Sequence, residues 1–310
     1  PYHGQMAMSA MVYSSPATAA WPAMVCRKLW GTPYVLLVQD LWPDSVFASG
    51  FITEGRVRKV AEWALGHFVD ASYRNAATVV AISPGMKELL AARGVPNGKL
   101  VQIFNWADEA VMAEPVDRLP RVAGEPLELM YGGNLGFAQN LSNVIDAIAL
   151  MPPGSVRLTL VGEGAAEAEL RRKAGSLAPG LVAFHPRVSA RKLRDLMARA
   201  HMHLISLADE EAFRIAIPSK LQFLLAAGAP ILCVAPGEVS GIVRTEEVGL
   251  TAVPEDLAEL VKTLGAACEL SPAQLDMMAE RARTLYEAEM SEAINGEKLA
   301  RLLEGAAKFA

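Results

Sequence analysis

The chain has 310 residues, a formal net charge of −5 and an apolar fraction of 52%. That is enough chain for two medium domains, too apolar for intrinsic disorder, and without the global basic field that would hold a nucleic acid backbone. Cys26, Cys233 and Cys268 stand far apart, which excludes a disulfide framework and a C-x-x-C zinc site, and no apolar run reaches the roughly 18 residues of a membrane span.

In chain order, the first clear strand is Tyr34 to Val38, followed by Gln39-Asp40-Leu41-Trp42-Pro43-Asp44. Open parallel sheets take ligands at the carboxyl ends of their strands, so Asp40 is either an acid, base or acceptor-binding carboxylate or a turn residue. A helix from Thr53 to Arg74 sets Val57, Val60, Ala61, Ala64, Leu65 and Phe68 on one face, with Arg56, Arg58, Lys59, His67 and Arg74 elsewhere. It is either a basic amphipathic helix suited to an anionic bilayer or a core-packed helix with a solvated basic face. A strand at Thr78 to Ile82 follows, and the proline-bearing stretch from Asp108 to Pro126 reads as a linker.

Beyond it, strands are expected at Leu127 to Tyr131, Val156 to Val161, Met202 to Ser206 and Pro230 to Val234. Helices lie between: Leu141, Val144, Ile145 and Ile148 repeat at i, i+3, i+4, i+7, as do Leu257, Leu260, Val261 and Leu264. Strand and helix alternating in this way give an α/β class with parallel sheets. The divisions are placed at 1–110, 111–285 and 286–310. With only two or three strands, the N-terminal part reads as incomplete.

Three turns carry the chemistry. Gly132-Gly133-Asn134-Leu135-Gly136 follows a strand and precedes the helix at Leu141, so it is either a phosphate cradle feeding a helix N-terminus or only a tight connection. Gly162-Glu163-Gly164 repeats that context. Pro218-Ser219-Lys220 opens a helix that runs to Gly228, with Pro218 and Ser219 as its cap; a lysine beside first-turn amides suits a diphosphate, although an ordinary capped helix reads the same. His201 and His203 alternate on a strand with apolar neighbours and read as packed or edge histidines rather than metal ligands. There is no D-x-D and no H-x-x-x-H, and no metal site is expected.

Together, VQDLWPD, SPGM, NWAD, YGGNLG, LVGEG and PSKLQFLLAAGAP, in that order, resemble the retaining bacterial glycosyltransferases of family 4, which have the GT-B fold. The nearest branch makes exopolysaccharide and O-antigen, typified by colanic acid fucosyltransferase and N-acetylfucosamine transferases. The resemblance implies two Rossmann-like domains facing a cleft, the N-terminal one here shortened before Pro16 and binding the acceptor. The C-terminal domain would bind a nucleotide diphosphate sugar, a UDP- or GDP-sugar, without a cofactor. It assigns Asp40 and Lys220 to catalysis, and Gly133, Asn134, Glu163, Arg187, Ser219 and Lys220 to the donor. Arg56, Arg58 and Lys59 would face the acceptor or the membrane. The implied acceptor is linked to polyprenyl diphosphate at the cytoplasmic face of the inner membrane, with the protein peripheral there, and the last helix, around Leu299 to Leu303, packs back toward the first domain. Departures are visible: the E-x7-E pair of many relatives is Ile215 and Phe223 here, the basic residues after the glycine turn are Asn134 and Gln139, and a histidine before the aspartate is Gln39. A non-catalytic nucleotide-sugar-binding or scaffold protein of the same fold is the rival reading, and a nucleotide-sugar epimerase a third.

Overall fold

The computed structural model of the chain describes residues 8–42, 56–109, 116, 118–122 and 124–308; the side chains of residues 56–58 lie outside that set. Its contacts divide the chain into two units, Pro1–Asn105 with Glu292–Ala310, and Trp106–Ser291.

The first unit holds a parallel sheet of β1 (Ala10–Ser14), β2 (Tyr34–Val38), β3 (Thr78–Ala81) and β4 (Leu100–Gln102), in that order. β2 is buried at every position, as an unalternating Tyr-Val-Leu-Leu-Val run requires of a strand covered on both faces. β1 alternates instead: Val12 and Ser14 are buried, while Met11 and Tyr13 are exposed. Four strands thus stand where two or three were expected. β1 and β4 escaped notice because one is half exposed and the other only three residues long. Helix α1 (Ala20–Trp30) packs beside α2 (Arg56–Asn75), Trp21 lying 6.3 Å from Phe68 between ring centres. α3 (Pro84–Ala92) is capped by Ser83, whose hydroxyl accepts from the Met86 amide. Ser9 donates to the Leu303 carbonyl, fastening the C-terminal helix of this unit.

The expected apolar face of α2 is corrected by the structure. Val69, Ser72 and Tyr73 are buried, whereas Val60 is 65% exposed and Ala64 is exposed too. Among the described residues the carboxyl half of this helix is the more deeply buried part, with Ala61, Leu65 and Phe68 of the expected face half-buried.

The second unit is a six-stranded parallel sheet. Its strands are β5 (Leu127–Gly132), β6 (Val156–Val161), β7 (Val182–His185), β8 (Met202–Ser206), β9 (Ile231–Val234) and β10 (Gly249–Ala252), in the spatial order β10-β9-β8-β5-β6-β7. Numbered from β5, that is the doubly wound order 3-2-1-4-5-6, whose direction reverses between β5 and β8. α4 (Leu141–Leu150) and α9 (Leu257–Glu269) pack together on one face, and Val144, Ile145, Leu260 and Leu264 are fully buried with Leu129, Leu158 and Leu204. The periodic helices are therefore where their apolar spacing put them. The described residues of the stretch 108–126 lie within this unit: Arg118 reaches the Leu275 carbonyl and Asp276, Arg121 reaches the Ala267 and Leu270 carbonyls, and the Leu119 amide donates to the Ala198 carbonyl.

Candidate functional site

A cavity of about 900 Å³ opens at the carboxyl ends of β5 and β8, the reversal point of the second sheet, and all its lining residues belong to the second unit. It is large enough for a ligand of drug size or more. Six of the sequence-assigned residues line it, namely Gly133, Asn134, Glu163, Arg187, Ser219 and Lys220.

Its rim is made by the glycine turns. Gly133 N donates to Val161 O, Leu135 N to Glu163 O and Gly162 N to His185 O, each at 2.9 Å, so the turns extend the sheet past the strands. Gly162 has φ of +142°, and a Cβ there would collide with the Gly133 carbonyl oxygen. Only glycine fits both conditions. These bonds also correct the phosphate-cradle reading: the Gly133 and Leu135 amides are already engaged, which leaves the Asn134 amide. α4, moreover, begins only at Leu141 after a separate turn at Phe137–Gln139, and its residues do not line the cavity. That turn is held by Ser206, which donates to Gln139 O at 2.6 Å, and by the Ala208 amide on Ala138 O.

α7 (Ser219–Ala226) does end in the cavity. Pro218 is its N-cap and supplies no side-chain bond, so Ser219 is the exposed first helical residue rather than part of the cap. The first-turn amides have no partner within the helix and carry its positive dipole end. Lys220 projects its ammonium onto the Tyr131 ring, 3.1 Å from the ring centre, and a Cβ on Gly133 would lie 3.4 Å from Nζ. Among the described residues no carboxylate pairs with this ammonium. Burial lowers the Lys220 pKa well below the ordinary lysine value and raises that of Tyr131, whose hydroxyl donates to Asn134 O at 2.8 Å. The cation is thus held in a desolvated place, on an aromatic face, with no anion beside it.

Arg187 and Glu163 are exposed at the mouth. Phe223 also lines the cavity, one turn after Ser219. Sequence reasoning missed Trp106, Tyr131, Ser206 and His203 as lining residues; the signal was there for three of them, since Tyr131, His203 and Ser206 lie on the two strands that flank the reversal. His203 is 3% exposed, as a packed histidine should be, and burial brings its pKa down to about 3, so it is neutral. His201 precedes β8 rather than lying on it, and its Nδ1 accepts from the Glu128 amide.

Asp40 lies in the first unit, exposed, at the carboxyl end of β2, where it accepts from the Ser15 hydroxyl at 2.7 Å. Next to it Gln39 and Asn105 form a reciprocal amide pair at 3.1 and 2.8 Å. Lys59 is exposed on α2, while the side chains of Arg56 and Arg58, and the whole of Asp44, lie outside the described residues. No group of three His, Cys, Asp or Glu suited to a metal comes together among the described residues, and none of the described helices is long and apolar enough to cross a membrane.

Family models match both units: a glycosyl transferase 4-like domain over residues 7–106 and glycosyl transferases group 1 over residues 126–269. The probable glycosyltransferase WbjE of Pseudomonas aeruginosa is 26% identical over 296 residues, covering 93% of this chain and 72% of that protein. The putative colanic acid biosynthesis glycosyl transferase WcaI of Escherichia coli (strain K12) is 28% identical over 257 residues, covering 79% and 63%. This chain therefore spans less than two thirds of the length of WcaI. Among solved structures, HepE of Anabaena in complex with UDP superposes with a TM-score of 0.76 at 15% identity, covering 96% of this chain and 79% of that one. WaaG, a glycosyltransferase involved in lipopolysaccharide biosynthesis, gives 0.64 at 16%, covering 98% and 85%. With two parallel-sheet units of the GT-B type and both family domains in sequence, the chain belongs to the group 1, family 4-like glycosyltransferases.

Proposed function

We propose that the chain moves a sugar from a nucleotide diphosphate donor to a lipid-linked or saccharide acceptor, with retention of anomeric configuration, in exopolysaccharide or O-antigen synthesis. The observation that carries this is the Lys220 ammonium, desolvated on Tyr131 without a counter-ion, at the start of α7 in the cavity. A diphosphate is the anion that such a site lacks. Supporting the reading, HepE is solved with UDP and with UDP-glucose, and WcaI is named for colanic acid biosynthesis.

Breaking the bond between the anomeric carbon and the diphosphate leaves negative charge on phosphate while the sugar becomes oxocarbenium-like. Lys220 and the free amides of Ser219, Lys220 and Asn134 stabilise that charge, and Arg187 at the mouth adds a second cation. These groups supply the positive charge, so no metal or other cofactor is assigned to the step. Attack comes from the face that the leaving group vacates, and the departing phosphate takes the acceptor proton. Asp40 is assigned to the acceptor side. The acceptor is a polyprenyl diphosphate-linked sugar at the cytoplasmic face of the inner membrane. The exposed Trp21, Leu29 and Trp30 of α1 and Val60 and Trp63 of α2, beside Lys59, support such a peripheral placement.

Thermal melts against UDP- and GDP-sugars test the first half: one donor raises the Tm of the native chain by mass action, and Lys220→Ala abolishes the shift. An unchanged shift in that variant removes the assigned role. Transfer is then measured with the stabilising donor and a polyprenyl diphosphate-linked acceptor, where Lys220→Ala lowers kcat/KM by roughly 10²–10³. Donor binding with neither transfer nor hydrolysis favours the non-catalytic reading.

A further inference from the structure

Residues 103–108 belong to no helix or strand, so the place of this segment depends on what holds its polar groups. Trp106, Ala107 and Asp108 of it line the cavity. The holder is distant in sequence: the Tyr286 hydroxyl accepts from the Ala107 amide at 3.2 Å and donates to Glu109 Oε1 at 2.8 Å. Tyr286 is 5% exposed and opens the π-helical turn Tyr286–Met290, which continues α10 (Pro272–Leu285). Both α10 and this turn pack against α7, the helix that begins at Ser219 and Lys220. One buried hydroxyl thus ties the segment to the element that braces α7. Trp106 itself is half-buried, so a large aromatic side chain in the cavity wall keeps accessible surface.

We propose that Trp106 stacks on a ring of the donor, base or sugar, and that Tyr286 is the positioning residue that sets it there. The role rests on the nucleotide diphosphate reading above. An indole offers a flat apolar face to a heteroaromatic ring or to the C–H face of a sugar. Such a contact is sensitive to placement, because a sub-ångström gap already forfeits much of the dispersion energy. No ladder and no helical turn fixes the backbone at Trp106; the two bonds of Tyr286 hold it from the C-terminal side. Without the hydroxyl the amide of Ala107, itself 5% exposed, loses this acceptor, and the segment shifts to find another.

Titration calorimetry on the chain with inorganic pyrophosphate, UDP, GDP, UDP-glucose and GDP-mannose tests both halves. For the nucleotides that bind, Trp106→Ala weakens affinity roughly tenfold, and Trp106→Phe, which keeps a ring, recovers part of the loss. Tyr286→Phe, which keeps the packed ring and removes only the hydroxyl, weakens affinity roughly fivefold but costs nothing further in Trp106→Ala. Pyrophosphate binds all the chains alike. A loss already present with UDP or GDP puts the base on the indole; a loss confined to the sugar nucleotides puts the sugar there. Equal affinity of the unaltered chain and Trp106→Ala for every nucleotide overturns the proposal. A Tyr286→Phe loss that persists undiminished in Trp106→Ala, or that extends to pyrophosphate, overturns the positioning role and makes Tyr286 merely structural. Should Tyr286→Phe fail to fold, Glu109→Ala, which takes away the acceptor of the hydroxyl, replaces it in the same cycle. Pyrophosphate binding with no gain from any nucleotide overturns the role of Trp106 and leaves that of Lys220 standing. Binding of neither pyrophosphate nor nucleotide sinks the donor reading and this proposal with it.

Discussion

At the scale of single residues, Lys220 sets the behaviour of the cavity. Its folded pKa is lowered by desolvation, and a bound diphosphate, as an adjacent anion, raises it again. Between the free and bound pKa values, binding therefore takes up a proton, and affinity rises as the pH falls through that window. Within that window, calorimetry of the stabilising donor in buffers of different ionisation enthalpy should show proton uptake that is absent in Lys220→Ala; affinity that does not change with pH in the native chain would contradict the assignment. Gly162 is the second sensitive position. A methyl group there meets the Gly133 carbonyl at a φ that side chains rarely adopt. Gly162→Ala should cost about 2–4 kcal/mol in urea unfolding, with relief only if both glycine turns shift. Lys220, Asn134 and Gly133 were legible because turn chemistry is local. The engagement of the Gly133 and Leu135 amides was not, since their acceptors come from β6 and the turn after it, some thirty residues away.

Secondary-structure elements were read best where their apolar period was complete. α4 buries all four residues that its spacing selects, α9 buries Leu260 and Leu264 with Leu257 and Val261 partly buried against the same core, and β2, β8 and β9 are buried throughout. α2 was read less well, because a helix presents an apolar stripe whether or not a neighbour extends along it. The peripheral placement proposed above draws on Val60 and Trp63, which are exposed on this helix beside Lys59. Replacing Arg56, Arg58 and Lys59 by Gln should reduce sedimentation with anionic vesicles several-fold at low salt, with the difference shrinking at high salt as the charges are screened. Equal binding of both chains at low salt would remove these residues from any membrane role.

For the molecule as a whole, connectivity makes the two units unequal. Trp106–Ser291 is one continuous segment that contains every residue lining the cavity, whereas the first unit is closed by the returning segment Glu292–Ala310. Residues 106–291 expressed alone should fold and keep the donor-induced Tm shift. Residues 1–105 alone lose the Ser9 to Leu303 bond and the helix Glu292–Ala307 (α11), which packs on β2, and should melt lower than the same segment within the full chain. A fragment 106–291 that folds but shows no shift would locate part of the donor site outside it.

The amino-acid order by itself determined the α/β class, most of the strands, the amphipathic helices and the glycine and lysine turns, because each depends on residues within a few positions of one another. Tertiary structure decided that β5 and β8 are neighbours, and hence that turns nearly ninety residues apart share one cavity. It also decided how His203 is packed: 3% exposed, with its Nε2 enclosed and unpartnered. Strand pairing and the burial of one nitrogen depend on distant segments meeting, and no local window of sequence contains that information.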